Sequence, residues 1–238
     1  MASSPASAAW PRAIVFDLDG TLVDSAPDIQ VAVNAAFAPL GVAPFDLPTV
    51  TGMIGGGARA AIERAARLAG LALDEDGIEA ALDRFYPVYG EASSRGRGLY
   101  PGAVELLAGL QDQGIPLGLC TNKADPIAAI ALDALGIRRY FRTVVGARDD
   151  LPKKPDPAAL RAAFTPLSGA SDAAGVVMIG DTAADIGAAR AAGCRSIAIA
   201  HGYSRVPVGE LGADAIVATL AEIPDALSGL ARDFVTNA

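Results

Sequence analysis

The sequence predicts an α/β fold: a doubly wound parallel sheet with a helical cap domain inserted into it. Three observations carry that expectation. Six short, nearly unbroken apolar runs are spread along the chain, as strands buried on both faces of a parallel sheet require. Helical patterns alternate with most of them, and several stop at a glycine (Gly114, Gly136, Gly193), the residue that best takes the left-handed turn past a helix end. One block, residues 25–96, breaks the alternation and holds no strand pattern.

The expected strands are 13–16, 115–120, 143–145, 175–179, 196–200 and 215–218. Between the later ones, residues 103–113, 126–135 and 185–192 read as helices, which makes the sheet doubly wound. The strandless block has Ala-rich helical stretches at 27–40, 58–71 and 76–89. In the second of these, Ile62, Ala65, Ala66 and Ala69 fall on one face, with Arg59, Glu63 and Arg67 elsewhere. The simplest organisation is a core of residues 1–24 and 97–238 with residues 25–96 as the cap, joined by two linkers that let it close over a site at the strand ends.

Composition excludes several functions. The 238 residues carry a net charge of −8 with 52% hydrophobic residues, so a core can be buried and no Lys/Arg stripe for nucleic acid is expected. An anionic small molecule stays possible, because one cation or bound metal inverts the field of a cleft. Cys120 and Cys194 are too few for a disulfide framework or a thiolate metal site. The only histidine, His201, reads as an ordinary loop residue, which leaves no His-based zinc site or relay. No apolar run reaches the roughly 18 residues of a membrane span. The Ala/Ser/Pro-rich stretch 1–12 lacks the features of a signal peptide and reads as a frayed tail. A soluble, cytoplasmic protein is expected; oligomeric state is not legible.

Ligands of open parallel sheets bind beyond the carboxyl ends of the strands, so the residues that follow each strand are informative. They are Asp17-Leu-Asp19-Gly-Thr21 after the first, Thr121-Asn122-Lys123 after the second, and Gly180-Asp181-Thr-Ala-Ala-Asp185 after the fourth. Beyond the third runs a proline-stiffened loop, 151–157, which contains Lys154. These types form a coherent set for phosphoryl transfer. Asp17 is a carboxylate nucleophile, but it must be neutralised before it approaches a phosphate dianion. Asp17 and Asp181 as oxygen ligands point to Mg²⁺, and Lys154 adds a point charge. Thr121 and Asn122 are donors to phosphate oxygens. Asp19 is placed to protonate the leaving alkoxide and later to take a proton from water. Asp181 and Asp185 are expected on one helix face, one as metal ligand and the other orienting a metal-bound water.

Each motif also has a plainer reading. Asp17-x-Asp19-Gly20 lacks the glycine of a calcium loop at the required place, though it suits an ordinary turn. Thr121-Asn122 and Asp181 suit helix caps, and Lys153-Lys154 suits a solvated pair. Their joint occurrence at successive strand ends is what favours a site. The triple glycine 55–57 has no strand before it and so is no dinucleotide motif; it reads as the start of a cap helix whose N–H groups face the site and favour a carboxylate or phosphate. Arg64, two turns on, suits either a substrate carboxylate or a surface salt bridge.

These residues resemble the haloacid dehalogenase superfamily over nearly the whole chain. Residues 17–25, Thr121-Asn122, Lys154-Pro155 and Gly180-Asp181 with Asp185 are similar to its four motifs. The resemblance implies a Rossmann-like haloacid dehalogenase core with Asp17 as nucleophile and metal ligand. It also implies Asp19 as acid/base with its backbone carbonyl at Mg²⁺, and Asp181 as the remaining protein ligand. Within the family, the loop 151–157 and the cap stretch 52–65 look like those of bacterial phosphoglycolate phosphatases. The resemblance thus implies a small phosphorylated substrate, 2-phosphoglycolate. Sugar-phosphate phosphatase and a β-phosphoglucomutase-like enzyme are alternatives, the latter weakened because residues 25–96 hold no Lys or His. A phospho-ligand binding module without turnover is the non-enzyme alternative.

Overall fold

The computed structural model describes residues 10–168 and 173–236. Its strands are β1 (Ala13–Phe16), β2 (Leu117–Ala124), β3 (Thr143–Ala147), β4 (Val176–Gly180), β5 (Arg195–Ile199) and β6 (Ala215–Val217). They form one sheet in the order β3-β2-β1-β4-β5-β6 with every pair parallel. The α/β expectation therefore holds.

Successive residues of β1 enter opposite layers, as strand geometry requires. Ile14 and Phe16 join one apolar core, and Ala13 and Val15 join another. The first core is covered by α5 (Ala103–Asp112), α6 (Asp125–Ala134) and α9 (Ile223–Thr236). On the other face lie α7 (Pro157–Ser168) and α8 (Ala183–Ala192).

Between β1 and α5 run only helices: α1 (Ala26–Phe37), α2 (Leu47–Thr51), α3 (Ala58–Leu68) and α4 (Glu75–Ser93), with a short 3-10 turn after α1. They gather a separate core around Val33, Phe37, Ile62 and Phe85. α3 buries Ala61, Ile62, Ala65 and Ala66, so three of the four residues expected on the apolar face are on it, and the fourth, Ala69, falls beyond the helix as its C-cap. The linkers into and out of this helical layer are stitched together. Asp24 N donates to Gly98 O at 2.7 Å and Tyr100 N to Leu22 O at 3.0 Å. Gly98 has φ +93, and a Cβ there would stand 2.5 Å from Asp24 O, so this close approach requires glycine.

Three expectations change. β2 starts at Leu117, because Ile115 N is taken by Leu110 O at the end of α5. It ends at Ala124 instead of Cys120, because a bulge between Cys120 and Ala124 lets pairing with β3 resume. Of the stretch 1–12 expected to fray, residues 1–9 lie outside the described ones. The rest is tied down: Arg12 N donates to Gly175 O at 2.8 Å, and Trp10 Nε1 to Leu227 O at 3.3 Å. No described helix is long and apolar enough to cross a membrane.

Candidate active site

β1 lies between β2 and β4, so the connections leave the sheet centre in opposite directions and open a crevice beyond the strand ends. Asp17 follows β1, and its N–H donates to Ile179 O at 2.9 Å, the last rung before the crevice. The next turn is tight. Leu18 O accepts from Leu22 N and Val23 N at 2.9 and 3.0 Å, and Gly20 takes φ +85. A Cβ on Gly20 would stand 2.3 Å from Asp181 Oδ2, and one on Gly202 2.2 Å from Asp181 Cβ. The two glycines form the cradle that admits Asp181.

Asp181 is fully buried. Its Oδ1 accepts from Thr21 Oγ1 at 2.9 Å and its Oδ2 from Tyr203 N at 2.6 Å. Burial, with Asp185 and Asp17 adding to it, pushes its pKa well above the carboxylate range. Asp181 was expected on one helix face with Asp185. It instead precedes α8, whose N-cap is Thr182, because its carboxylate is drawn back to Thr21 and Tyr203. Asp185 alone sits in the first turn of α8. Its Oδ2 accepts from Thr182 N at 2.9 Å and Thr182 Oγ1 at 2.8 Å, and its Oδ1 lies 2.6 Å from Lys154 Nζ.

Oxygens of Asp17, Asp181 and Asp185, all buried, lie within 4.8 Å of one another. Lys154 Nζ faces Asp17 Oδ1 as an ion-pair partner at 3.0 Å. Burial pushes the Asp17 carboxyl up to about 7 against the pull of Lys154, with Asp185 and Asp19 adding to the rise. Three acids this close need a cation or protons among them, and an all-oxygen donor set suits a hard divalent ion. Asp17, Asp181 and Asp185 are the residues that could hold it. Both oxygens of Asp181 and both of Asp185 already meet donors, and those of Asp185 include Lys154. Asp19 is outside the three-acid cluster: its carboxylate pairs with Lys123 Nζ at 3.0 Å.

Lys154 is buried with its ammonium among Cys120 O, Asp185 Oδ1 and Asp17 Oδ1. Burial works against its charge, but Asp17 and Asp185 outweigh it and hold the pKa above the usual lysine value. Asn122, expected as a phosphate donor, lines the cavity and also clasps the loop that carries Lys154. Its Nδ2 donates to Lys154 O at 3.0 Å, and its Oδ1 accepts from Lys154 N at 3.1 Å. Thr121 Oγ1 accepts from Lys123 N at 3.2 Å, which leaves its proton for a ligand oxygen. Neither residue caps α6, whose N-cap is Ala124.

The helical layer closes one side of the cavity. Ile54, Gly55–Gly57, Phe85 and Tyr89 line it together with Asp17, Asp19, Thr121, Lys123 and Lys154. The triple glycine leads into α3 as expected, with Gly57 as its N-cap at φ +87. A Cβ on Gly57 would be 2.9 Å from Asn122 O, so the two layers touch here. Arg64 does not line this cavity. Its Nη1 donates to Met53 O at 2.6 Å and Gly55 O at 2.7 Å, so it braces the glycine loop and borders a neighbouring cleft with Tyr203 and Arg205. His201 is a loop residue whose ring stacks on Tyr100 with centroids 3.9 Å apart.

One cavity residue escaped the expected site. Lys123 is buried, pairs with Asp19, and donates to Tyr89 Oη while lying 4.1 Å from the centre of the Tyr89 ring. The signal was available: on a strand that continues past Thr121, Lys123 falls on the same face two residues later.

The model of the haloacid dehalogenase-like hydrolase family matches residues 11–193. The chain belongs to that family. It is 40% identical over 219 residues to a phosphoglycolate phosphatase of Rhodospirillum rubrum, spanning 90% of each chain. A crystal structure of a predicted phosphoglycolate phosphatase from Haemophilus somnus superposes with a TM-score of 0.83 at 31% identity, covering 90% of this chain and 97% of that one. CbbY from Rhodobacter sphaeroides, solved in complex with phosphate, gives 0.75 at 26% identity over 89% and 96%. Each of the two solved structures thus superposes on about nine-tenths of the chain.

Proposed function

We propose that the protein is a cytoplasmic, Mg²⁺-dependent phosphomonoester hydrolase that converts 2-phosphoglycolate to glycolate and phosphate, with residues 25–96 as its cap. The observation that carries this reading is Asp17: a buried carboxylate at the end of β1, paired with Lys154 Nζ at 3.0 Å and grouped with two further acids. A carboxylate held beside a fixed cation at a strand end suits a nucleophile. The names of the relatives support the substrate.

In the first step Asp17 attacks phosphorus, the ester P–O bond breaks, and Asp19 gives its proton to the departing alkoxide. In the second, Asp19 takes a proton from water as that water attacks the aspartyl-phosphate. The Asp17–phosphorus bond breaks, releasing phosphate and regenerating the carboxylate. Lys154 holds positive charge beside both the nucleophile and the transferring group, and Thr121 donates to a phosphoryl oxygen. Asn122 fixes the Lys154 backbone, and Asp185 orients its ammonium. Mg²⁺, when bound by Asp17 and Asp181 with the Asp19 carbonyl, supplies the charge that lets a phosphate dianion approach.

The test is phosphate release from a panel of esters, with Mg²⁺ and with EDTA. Metal-dependent turnover favouring 2-phosphoglycolate is expected. Equal rates on hexose phosphates would remove the substrate assignment, and no turnover of any ester would leave a phosphate-binding module.

A further inference from the structure

We propose that Lys123 is the cation that recognises the negative charge of the leaving group, so that the enzyme selects phosphate esters of short hydroxy acids; this rests on the phosphoglycolate reading. Two lysines and no arginine line the cavity among the described residues. Lys154 is surrounded by three oxygens at the Asp17 end. Arg64, which suits either a substrate carboxylate or a surface salt bridge, lies outside the cavity lining with its Nη1 on Met53 O and Gly55 O. Lys123, paired with Asp19, is the other cation that a second anionic group in the cavity would meet.

Its position suits that task. In a phosphorylated 2-hydroxy acid the carboxylate carbon is two bonds from the ester oxygen. The group that binds this carboxylate must therefore adjoin the group that protonates the ester oxygen. Lys123 Nζ lies 3.0 Å from Asp19 Oδ1. Its other contacts are the Tyr89 hydroxyl and ring, which come from the helical layer, so the cation stands at the seam that the leaving group must occupy. In a water-poor cleft a charge-assisted pair is strong. A neutral leaving group there would displace water from the ammonium without replacing its hydrogen bonds, the situation that yields large discrimination.

The experiment compares kcat/KM for three esters of equal length: 2-phosphoglycolate, 2-hydroxyethyl phosphate and 2-aminoethyl phosphate. Wild-type enzyme is expected to rank them anion, neutral, cation, a measurement that needs no variant to fold. In Lys123→Met and Lys123→Gln the anion-to-neutral ratio is expected to fall by about tenfold or more, mostly through KM, and Lys123→Arg is expected to restore part of it. Because Lys123 also touches Asp19, all rates drop; the ratio isolates recognition from positioning. A ratio unchanged in both variants, with the two esters slowed equally, would overturn the inference and leave the phosphoglycolate reading intact. A wild-type enzyme indifferent to leaving-group charge would overturn both.

Discussion

Asp185 Oδ1 lies 2.6 Å from Lys154 Nζ, while its other oxygen is held by Thr182 N and Oγ1. The start of α8 thus grips the ammonium that faces Asp17, and it does so with a carboxylate whose oxygens are both occupied. In the proposed mechanism Asp185 acts on the nucleophile through Lys154. Asp185→Asn is expected to lower kcat by about ten- to a hundredfold with a much smaller change in the Mg²⁺ concentration that gives half-maximal rate. A loss confined to metal affinity would instead make Asp185 a ligand. Titrating Mg²⁺ against initial rate in the variant decides between them.

In the proposed mechanism Asp19 is the acid/base, so Asp19→Asn removes proton transfer while keeping the shape of the side chain. Turnover is expected to fall by about 10² to 10⁴, and far less for an ester whose leaving group needs no proton, such as p-nitrophenyl phosphate. The two substrates are compared in one rate assay. An equal fall on both would mean that Asp19 supports the site structurally.

The acid cluster links metal binding to stability. The folded-state pKa of Asp17 is raised to about 7 from 3.8, so the metal-free native state binds protons that the unfolded chain has released. The contribution of Asp17 to stability is fully present below the unfolded value and is lost as pH rises through the window from 3.8 to about 7. Asp181 shifts in the same direction. Mg²⁺ competes with those protons, so the rise in melting temperature on adding Mg²⁺ to EDTA-treated protein is expected to be larger at about pH 8 than at about pH 5. A larger rise at the lower pH would contradict the assignment of Asp17 and Asp181.

Gly57 ties the helical layer to the sheet. Gly57→Ala puts a side chain at φ +87 with its Cβ 2.9 Å from Asn122 O. The strain, of about 1–3 kcal/mol, is relieved by moving the start of α3 away from β2. KM for 2-phosphoglycolate is expected to rise more than kcat falls, with the protein still folded by circular dichroism. Unchanged KM would show that this contact does not set closure.

The sheet and the reactive set were legible because both obey strong local rules. Strands buried on two faces are short and apolar, and residues at their carboxyl ends are where a parallel sheet presents chemistry, so Asp17, Asp19, Lys154 and Asp181 stood out. What stayed hidden depended on partners distant in the chain. The clasp of Asn122 on Lys154 stayed hidden because it spans a separate loop. The bracing role of Arg64 stayed hidden because its acceptors are backbone carbonyls, which carry no mark in a sequence. Lys123 was passed over because a bulge carries β2 beyond Cys120, and only a continuing strand puts it on the face of Thr121. Asp181 and Asp185 looked like one helix face until Thr182 proved to be the cap that separates them.

The proposed reaction depends on Asp17 forming the bond to phosphorus. Acid quenching of the enzyme during turnover of phosphoryl-labelled 2-phosphoglycolate, followed by peptide mapping, tests it most directly. The label is expected on the peptide carrying Asp17, with Asp17→Asn unlabelled and inactive. Undiminished turnover by Asp17→Asn, or a label on another residue, would contradict the account.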